Sequence, residues 1–281
     1  MAKGEIPLAS LGDSMSEHSV WNAVKGKLSR GEFVVGMTVT TSSVESAAYA
    51  ATLGFDFLWA EMEHSPLSLE GLRSLILATR SMQVPVFARV PWAEVWMAKR
   101  VLDQGAHGVI FPFVSSAERG KVAAEACHYP PAGRRGSGAG LAVLTWPGPG
   151  SYYDSADANV LVACVIEEES AVDEIDAITA IPGIDVIFIG TSDLAFSLGV
   201  RGQQDHPKVL AAIDRITQSA QKNGKYLGRP AGTAEDMKRF HEQGFQFFQS
   251  LTELGLIKLG AKQLLEPLGI STAAKEQSTF Y

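Results

Sequence analysis

Eight short apolar runs recur along the chain roughly every twenty-five residues, with one wider gap. They are Phe33–Thr38, Phe55–Ala60, Val84–Val90, Gly108–Pro112, Val160–Ile166, Asp185–Gly190, Lys225–Arg229 and Gln246–Leu251. Each is nearly continuous in apolar residues rather than alternating, the pattern of a strand covered on both faces. Between the runs apolar residues repeat three and four positions apart. Leu69, Leu72, Leu75 and Ile76 do so, as do Val172, Ile175, Ile178 and Ile181, and Val209, Ile213 and Ile216. That spacing predicts helices with one buried stripe. Strands alternating with helices imply parallel pairing through crossover helices. A doubly wound open sheet is the competing arrangement, but no G-x-G-x-x-G follows the first strand. The number and length of the strands favour an α/β fold of the closed (β/α)8 TIM-barrel type. Residues 1–19 form a polar N-terminal leader outside the pattern, and residues 20–281 read as a single barrel domain with a C-terminal helix and tail. The wide gap lies between the fourth and fifth strands and holds the Gly- and Pro-rich stretch Tyr129–Gly150, a candidate functional loop.

At 281 residues and 46% hydrophobic content, the chain can bury one large core. A net charge of −7 with no basic block disfavours a nucleic-acid partner. No run approaches the roughly eighteen apolar residues of a membrane span. The stretch Met1–Ser19 lacks an apolar core behind a basic start, so a cytoplasmic protein is expected. Cys127 and Cys164 stand apart in apolar or helical surroundings, which predicts small buried side chains rather than a disulfide or a nucleophile.

In a barrel, catalytic groups sit just past the C-terminal ends of strands. Here the second strand runs into Glu61-Met62-Glu63-His64, the third ends in Ala88-Arg89, the fifth in Val165-Ile166-Glu167, and the sixth opens into Gly190-Thr191-Ser192-Asp193. Glu167 and Asp193 occupy matching positions one β-α unit apart. Two carboxylates without a nearby Cys or His suit a hard octahedral cation such as Mg2+ or Mn2+. Capping of the helices that follow is the plainer alternative for each. The Gly190–Asp193 stretch also offers N–H groups at a helix start, where an anion is favoured. Arg89, ending an apolar strand, needs an anion: a ligand carboxylate or enolate oxygen, or a Glu of a neighbouring strand. His64 is the best-placed general base, since its ordinary pKa lies near working pH. His18, His107, His128, His206 and His241 fall in the leader, on helices or at barrel-bottom turns, and read as surface or capping residues.

Five motifs stand in order at these positions: Glu63-His64-Ser65-Pro66, Arg89-Val90-Pro91-Trp92, Tyr129-Pro130-Pro131-Ala132-Gly133-Arg134-Arg135-Gly136, Ile166-Glu167, and Phe188-Ile189-Gly190-Thr191-Ser192-Asp193-Leu194. Through them, from about Val20 to Leu268, the chain resembles the HpcH/HpaI aldolase family, the metal-dependent (class II) pyruvate aldolases. The resemblance implies cleavage or formation of 4-hydroxy-2-oxo acids, from pyruvate or a related 2-oxo acid and an aldehyde. It implies a divalent ion (Mg2+, Mn2+ or Co2+) on Glu167 and Asp193, Arg89 beside the 2-keto oxygen and His64 as the base. The substrate carboxylate would rest on the amides of Ser192 and Asp193. An Asp matching Asp103 orients the His in the family. Asp103 ends a helix ahead of the fourth strand, at the bottom of its own barrel, so it reaches a top-side His64 only across a subunit interface. The resemblance accordingly implies a homo-hexamer, a trimer of dimers, with active sites completed by neighbours. Arg135, with Arg134 in the Gly133–Gly140 loop, either meets solvent or a neighbouring subunit, or grips the far carboxylate of the substrate.

The chain also departs from the family pattern. Val165 stands where Gln is usual, Glu61 where Asp is usual, and Gly-Thr-Ser-Asp where Gly-Pro-Ala-Asp is usual. Trp59 precedes the acidic cluster, as an aromatic does in the related macrophomate synthase, and is a candidate substrate contact. These changes bear on substrate choice and leave the metal pair and the base in place. Related chemistries are oxaloacetate decarboxylation, macrophomate-synthase-like trapping of the enolate, and malyl- or citramalyl-CoA cleavage. The last calls for basic surface that this acidic chain lacks apart from Arg134 and Arg135. A barrel that binds a 2-oxo acid as sensor or carrier would not need both a base and a metal pair. No Lys lies within a strand interior, and Lys225 faces the wrong end, so lysine-dependent aldol chemistry is not expected.

Overall fold

Alternation along each strand decides which residues point into the barrel and which toward the surrounding helices. In the computed structural model, which describes residues 22–146 and 151–272, the strands are β1 (Val34–Val39), β2 (Phe57–Glu61), β3 (Val86–Arg89), β4 (Gly108–Phe111), β5 (Leu161–Ile166), β6 (Val186–Ile189), β7 (Tyr226–Pro230) and β8 (Phe245–Thr252). They close a barrel in which each pairs in parallel with its sequence neighbours, and β8 with β1. The α/β (β/α)8 TIM barrel expected from the run pattern is present, each strand within two residues of its expected bounds.

Inside the barrel, Phe57, Trp59, Phe87, Ile110, Leu161, Ala163, Val165, Val186, Phe188 and Phe247 form one buried cluster. Outside it, the alternate strand residues, such as Leu58, Ala60, Val109, Ile166 and Ile187, pack under the helices in a second, larger cluster. Aromatic rings crowd the lumen, and Gly36 makes the room for one of them: a Cβ there would lie 2.0 Å from the Phe57 ring. The N-terminal end of the barrel is closed by a helix absent from the periodicity reading, Ala23–Ser29, whose Val24 and Leu28 join the lumen cluster. Its seven residues carry too few apolar positions to mark a stripe. What seats it is Asn22, which caps the helix and donates from its side chain to the Asn159 carbonyl at 2.8 Å.

The wide gap contains two short helices, Gly140–Thr145 and Tyr152–Asn159, with residues 147–150 outside the described residues. The leader, 1–19, also lies outside them. Cys127 and Cys164 are buried and free, as expected. His206 caps the helix Pro207–Lys222, also as expected. His107 is a correction. Rather than a surface or capping residue, it is 3% exposed, accepts a hydrogen bond from the Val86 N–H at 3.1 Å and meets Trp146 edge-on. Burial holds its pKa well below the ordinary histidine value. Among the described residues no helix is long and apolar enough to cross a membrane.

Candidate active site

Parity carries the inward rows one step past the core and supplies the site. On β2 the inward set Phe57, Trp59 continues to Glu61; on β3 Phe87 continues to Arg89; on β5 Ala163 and Val165 continue to Glu167; on β6 Val186 and Phe188 continue to Gly190. Glu61 and Arg89 are register partners on adjacent strands. Arg89 Nε donates to Glu61 Oε2 at 2.6 Å and stands 3.3 Å from Glu63 Oε2. Of the two partners weighed for Arg89, the neighbouring strand's Glu is therefore present. Glu61 is 3% exposed and tightly held: Trp59 Nε1 donates to Oε2 at 3.1 Å, and the N–H groups of Glu63 and His64 donate to Oε1 at 2.9 and 3.0 Å. One carboxylate thus fixes both the Arg89 fork and the turn that carries His64.

Glu167 does not cap the helix after it. Its Oε1 accepts from the Phe113 N–H at 2.8 Å, just past the end of the neighbouring strand β4, and it is 3% exposed. Phe113 has φ 49, a left-handed conformation that side chains other than Gly rarely adopt. The strained turn aims its N–H at Glu167. Sequence reasoning passed over Phe113, although the strand-end rule applied to β4 reaches it. Gly190 matters for a related reason: a Cβ there would lie 2.6 Å from Glu167 Oε2. Burial pushes the Glu167 carboxyl up to about 7; the Phe113 N–H opposes this, and the charge of Asp193 adds to it. Asp193 is an exposed residue in the first turn of the helix Thr191–Ser197 and likewise makes no side-chain cap.

Glu63 was missed as a functional candidate. Burial pushes its carboxyl up to about 7, Arg89 pulls it down, and Glu167, Glu61 and Asp193 push it up. Its Oε2 is buried without a hydrogen bond. Four acidic groups, Glu61, Glu63, Glu167 and Asp193, therefore share one field at the barrel mouth. Among the described residues no three His, Cys, Asp or Glu side chains stand together as a metal cluster, but the pair Glu167 and Asp193 offers only oxygen donors, and a neighbouring positive charge would relieve the buried Glu167. His64, like Asp193, is exposed, its Nε2 3.4 Å from Glu63 Oε2. Burial and then the Arg89 charge lower its pKa below the ordinary value, against Glu61 and Asp193, so its imidazole is neutral near pH 7.

The remaining candidates divide. Ser192 is exposed beside Asp193, and its N–H belongs to the first helical turn, where backbone geometry leaves donors without an intrahelical acceptor. Trp59, expected to touch substrate, is fully buried in the lumen against Phe188 and Phe247. It acts on the site through its hydrogen bond to Glu61, because the strand's alternation turns it into the core. Asp103 ends the helix Val95–Asp103, and Arg135 lies beside it at 3.8 Å. Neither is among the groups that perturb His64. Arg135 is 2% exposed, so the solvent-facing reading of its loop is corrected: the guanidinium packs over Tyr129 at 4.6 Å and donates to Tyr152 Oη at 3.0 Å.

Comparison with known proteins places this geometry in a family. Residues 35–258 match the family model described as HpcH/HpaI aldolase/citrate lyase. The chain is 36% identical over 210 residues to a hydroxypyruvate/pyruvate aldolase of Roseobacter denitrificans, covering 74% of this chain and 81% of that one. It is 32% identical over 248 residues to a 5-keto-4-deoxy-D-glucarate aldolase of Klebsiella pneumoniae, covering 87% and 96%. The crystal structure of an HpcH/HpaI aldolase/citrate lyase family protein from Burkholderia cenocepacia superposes with a TM-score of 0.81 at 28% identity, covering 89% of this chain and 100% of that one. The chain belongs to the HpcH/HpaI aldolase/citrate lyase family and is a carbon–carbon lyase.

Proposed function

We propose that this chain is a divalent-metal-dependent aldolase that cleaves or forms 4-hydroxy-2-oxo acids, with pyruvate or a related 2-oxo acid as one product and an aldehyde as the other. The observation that carries the reading is that Glu167 and Asp193 stand near enough at one mouth of the barrel for the Asp193 charge to act on Glu167 and on Glu63, with Arg89 beside Glu63. Cleavage of the C3–C4 bond leaves negative charge on the pyruvate half, and the site must stabilise it. Glu167 and Asp193 would hold Mg2+, Mn2+ or Co2+, which supplies Lewis acidity at the 2-keto oxygen. Arg89, oriented by Glu61, adds a second positive charge there. The N–H groups of Ser192 and Asp193 receive the substrate carboxylate. His64, neutral at working pH, takes the C4 hydroxyl proton during cleavage and returns it during addition. Arg135 is buried, so the exposed basic pair once open to a CoA phosphate reduces to Arg134. That favours a small-acid substrate over an acyl-CoA.

Sites completed by a neighbouring subunit are part of the proposal, in a homo-hexamer built as a trimer of dimers. Two features support an assembly. The helix Glu253–Leu265 leaves Leu254, Ile257, Leu259 and Leu264 more than half exposed. The half-buried Asp103 and the buried Arg135 beside it leave polar atoms without hydrogen bonds. Two buried free thiols suit a reducing compartment, the cytoplasm.

The test is pyruvate release over a panel of 4-hydroxy-2-oxo acids and oxaloacetate, with EDTA and with each added metal. Activity should vanish in EDTA and in Glu167→Gln while the fold persists. Full turnover in EDTA refutes the metal-dependent reading. Turnover of oxaloacetate alone redirects it to decarboxylation.

A further inference from the structure

Outside β7, a cavity of about 920 Å3 opens between the helices Pro207–Lys222 and Ala234–Glu242. Gly228 faces the lumen, against Phe188 and Phe247, so alternation turns Arg229 outward into the helix layer, where it lines this cavity. Its guanidinium lies 3.5 Å from the centre of the Phe240 ring and 5.2 Å from that of Phe245. Stacking on the ring face leaves the in-plane N–H edge as the part able to receive a ligand. Among the described residues no carboxylate comes within ion-pair distance of Arg229, and its Nε is buried without a hydrogen bond. On the facing helix, Thr217 Oγ1 lines the same cavity and is also buried without a hydrogen bond.

The surrounding charges do not satisfy Arg229. Asp236 is engaged by Arg239 Nη2 at 2.6 Å and by Thr233 Oγ1 at 3.0 Å. Asp205 and Asp214 are exposed at the rim. Burial and then the Arg239 charge push Arg229 down to about 10, and Asp236 and Asp205 recover only part of that shift. A half-buried cation whose Nε is wholly buried and which has no counter-charge is costly, and an unmet hydroxyl beside it adds to the cost. Both needs are met by one group that accepts hydrogen bonds and carries negative charge.

We propose that this cavity is a second ligand site, for a small oxyanion (a carboxylate or a phosphate) held by the Arg229 fork and the Thr217 hydroxyl. It uses none of the groups assigned to catalysis. Its link to the site is Thr191, which lines the cavity and donates to Gln204 Oε1 at 2.9 Å. Thr191 begins the helix that carries Ser192 and Asp193, so the cavity lies directly behind the proposed substrate-binding turn.

The experiment is thermal unfolding of the full chain at constant ionic strength, titrating sodium phosphate in one arm and sodium acetate in the other against sodium chloride. Arg89→Ala runs in parallel, so that a rise owed to an anion at the barrel mouth is recognised by its loss in that chain. A saturable rise in Tm with one anion is expected in both chains, and which arm responds separates phosphate from carboxylate. Arg229→Met should abolish the rise and, having lost an uncompensated half-buried cation, should melt higher than the parent in chloride. Thr217→Val should weaken the anion by roughly tenfold, the worth of one hydrogen bond. No saturable rise with either anion overturns the proposal, leaving water as the occupant. So does a rise of unchanged size and midpoint in both Arg229→Met and Thr217→Val.

Discussion

Gly190→Ala tests whether Glu167 must stay where the fold puts it. Gly190 has φ −79 and ψ 78, which alanine adopts without the left-handed penalty, so the effect falls on the neighbour. The added Cβ would stand 2.6 Å from Glu167 Oε2 and 2.9 Å from its Cβ. Restoring an ordinary contact of 3.4 Å requires a displacement of about 0.8 Å. Glu167 has little slack, being 3% exposed with Oε1 held 2.8 Å from the Phe113 N–H. The same shift taken along that bond stretches it to about 3.6 Å, past hydrogen-bonding range. Misplacing a reacting or supporting group by about 1 Å costs on the order of 10² in rate. Disturbing the support of a metal ligand costs roughly 10–100-fold in metal affinity. Pyruvate release should therefore fall about 10²-fold, and the half-saturating Mn2+ should rise by roughly 10–100-fold. The assay is a coupled pyruvate assay under metal titration, with calorimetric Mn2+ binding beside it. Parental rate and metal response in Gly190→Ala would refute both the crowding argument and the role given to Glu167.

Arg89→Ala removes the cation between Glu61 and Glu63; breaking such a buried pair costs about 3–5 kcal/mol, and loss of one charge-stabilising donor lowers kcat by roughly 10²–10³. Adding Glu61→Gln should restore stability in urea but not turnover, and recovery of turnover would remove Arg89 from the mechanism. His107 has a folded pKa lowered by burial, so as pH falls below its ordinary 6.5 the unfolded chain takes up a proton that the native chain refuses. Stability then falls toward acid with a slope of up to about 1.4 kcal/mol per pH unit. His107→Asn should flatten that slope between about pH 6.5 and 5, and equal slopes in both chains contradict the assignment. Ile257→Glu with Leu264→Glu should shift the sedimentation coefficient to a smaller species. An unchanged coefficient counts against the helix Glu253–Leu265 as an interface.

The fold was legible because each strand is buried on both faces, which writes it into the sequence as an uninterrupted apolar run. The site was legible to the same extent, since Glu61, Arg89 and Glu167 break those runs at their C-terminal ends. What escaped is decided by tertiary contact. Trp59 has the composition of a substrate-facing aromatic, yet strand alternation puts it beneath Glu61. Phe113 serves through its backbone, whose φ no residue type announces. The helix Ala23–Ser29 is held by Asn22 meeting Asn159, 137 positions away. Arg229 reads as the end of a strand, and only the packing of Phe240 and Phe245 reveals it as a half-buried cation between rings.

The proposal that neighbouring subunits complete the site has a sharper consequence. In the buried cluster around Arg135, four polar atoms lack hydrogen bonds: Arg135 Nε and Nη1, Asp103 Oδ1 and Tyr129 Oη. Buried polar atoms are rarely left so, and Asp103, only half-buried, keeps an open side against which a neighbouring chain can pack. Asp103 sits at the bottom of its own barrel while His64 sits at the top, so any pairing of the two must join different chains. Asp103→Asn and His64→Asn should each be inactive alone, since every site in either homo-oligomer lacks one member of the pair. Unfolded together and refolded as a mixture, they should regain activity, because some interfaces combine an intact His64 from one chain with an intact Asp103 from the other. Random mixing makes such sites about a quarter of the total. Sedimentation of the mixture confirms that assembly took place. Assembly without recovered turnover eliminates the shared site, and full turnover of Asp103→Asn alone leaves Asp103 as the end of a helix and nothing more.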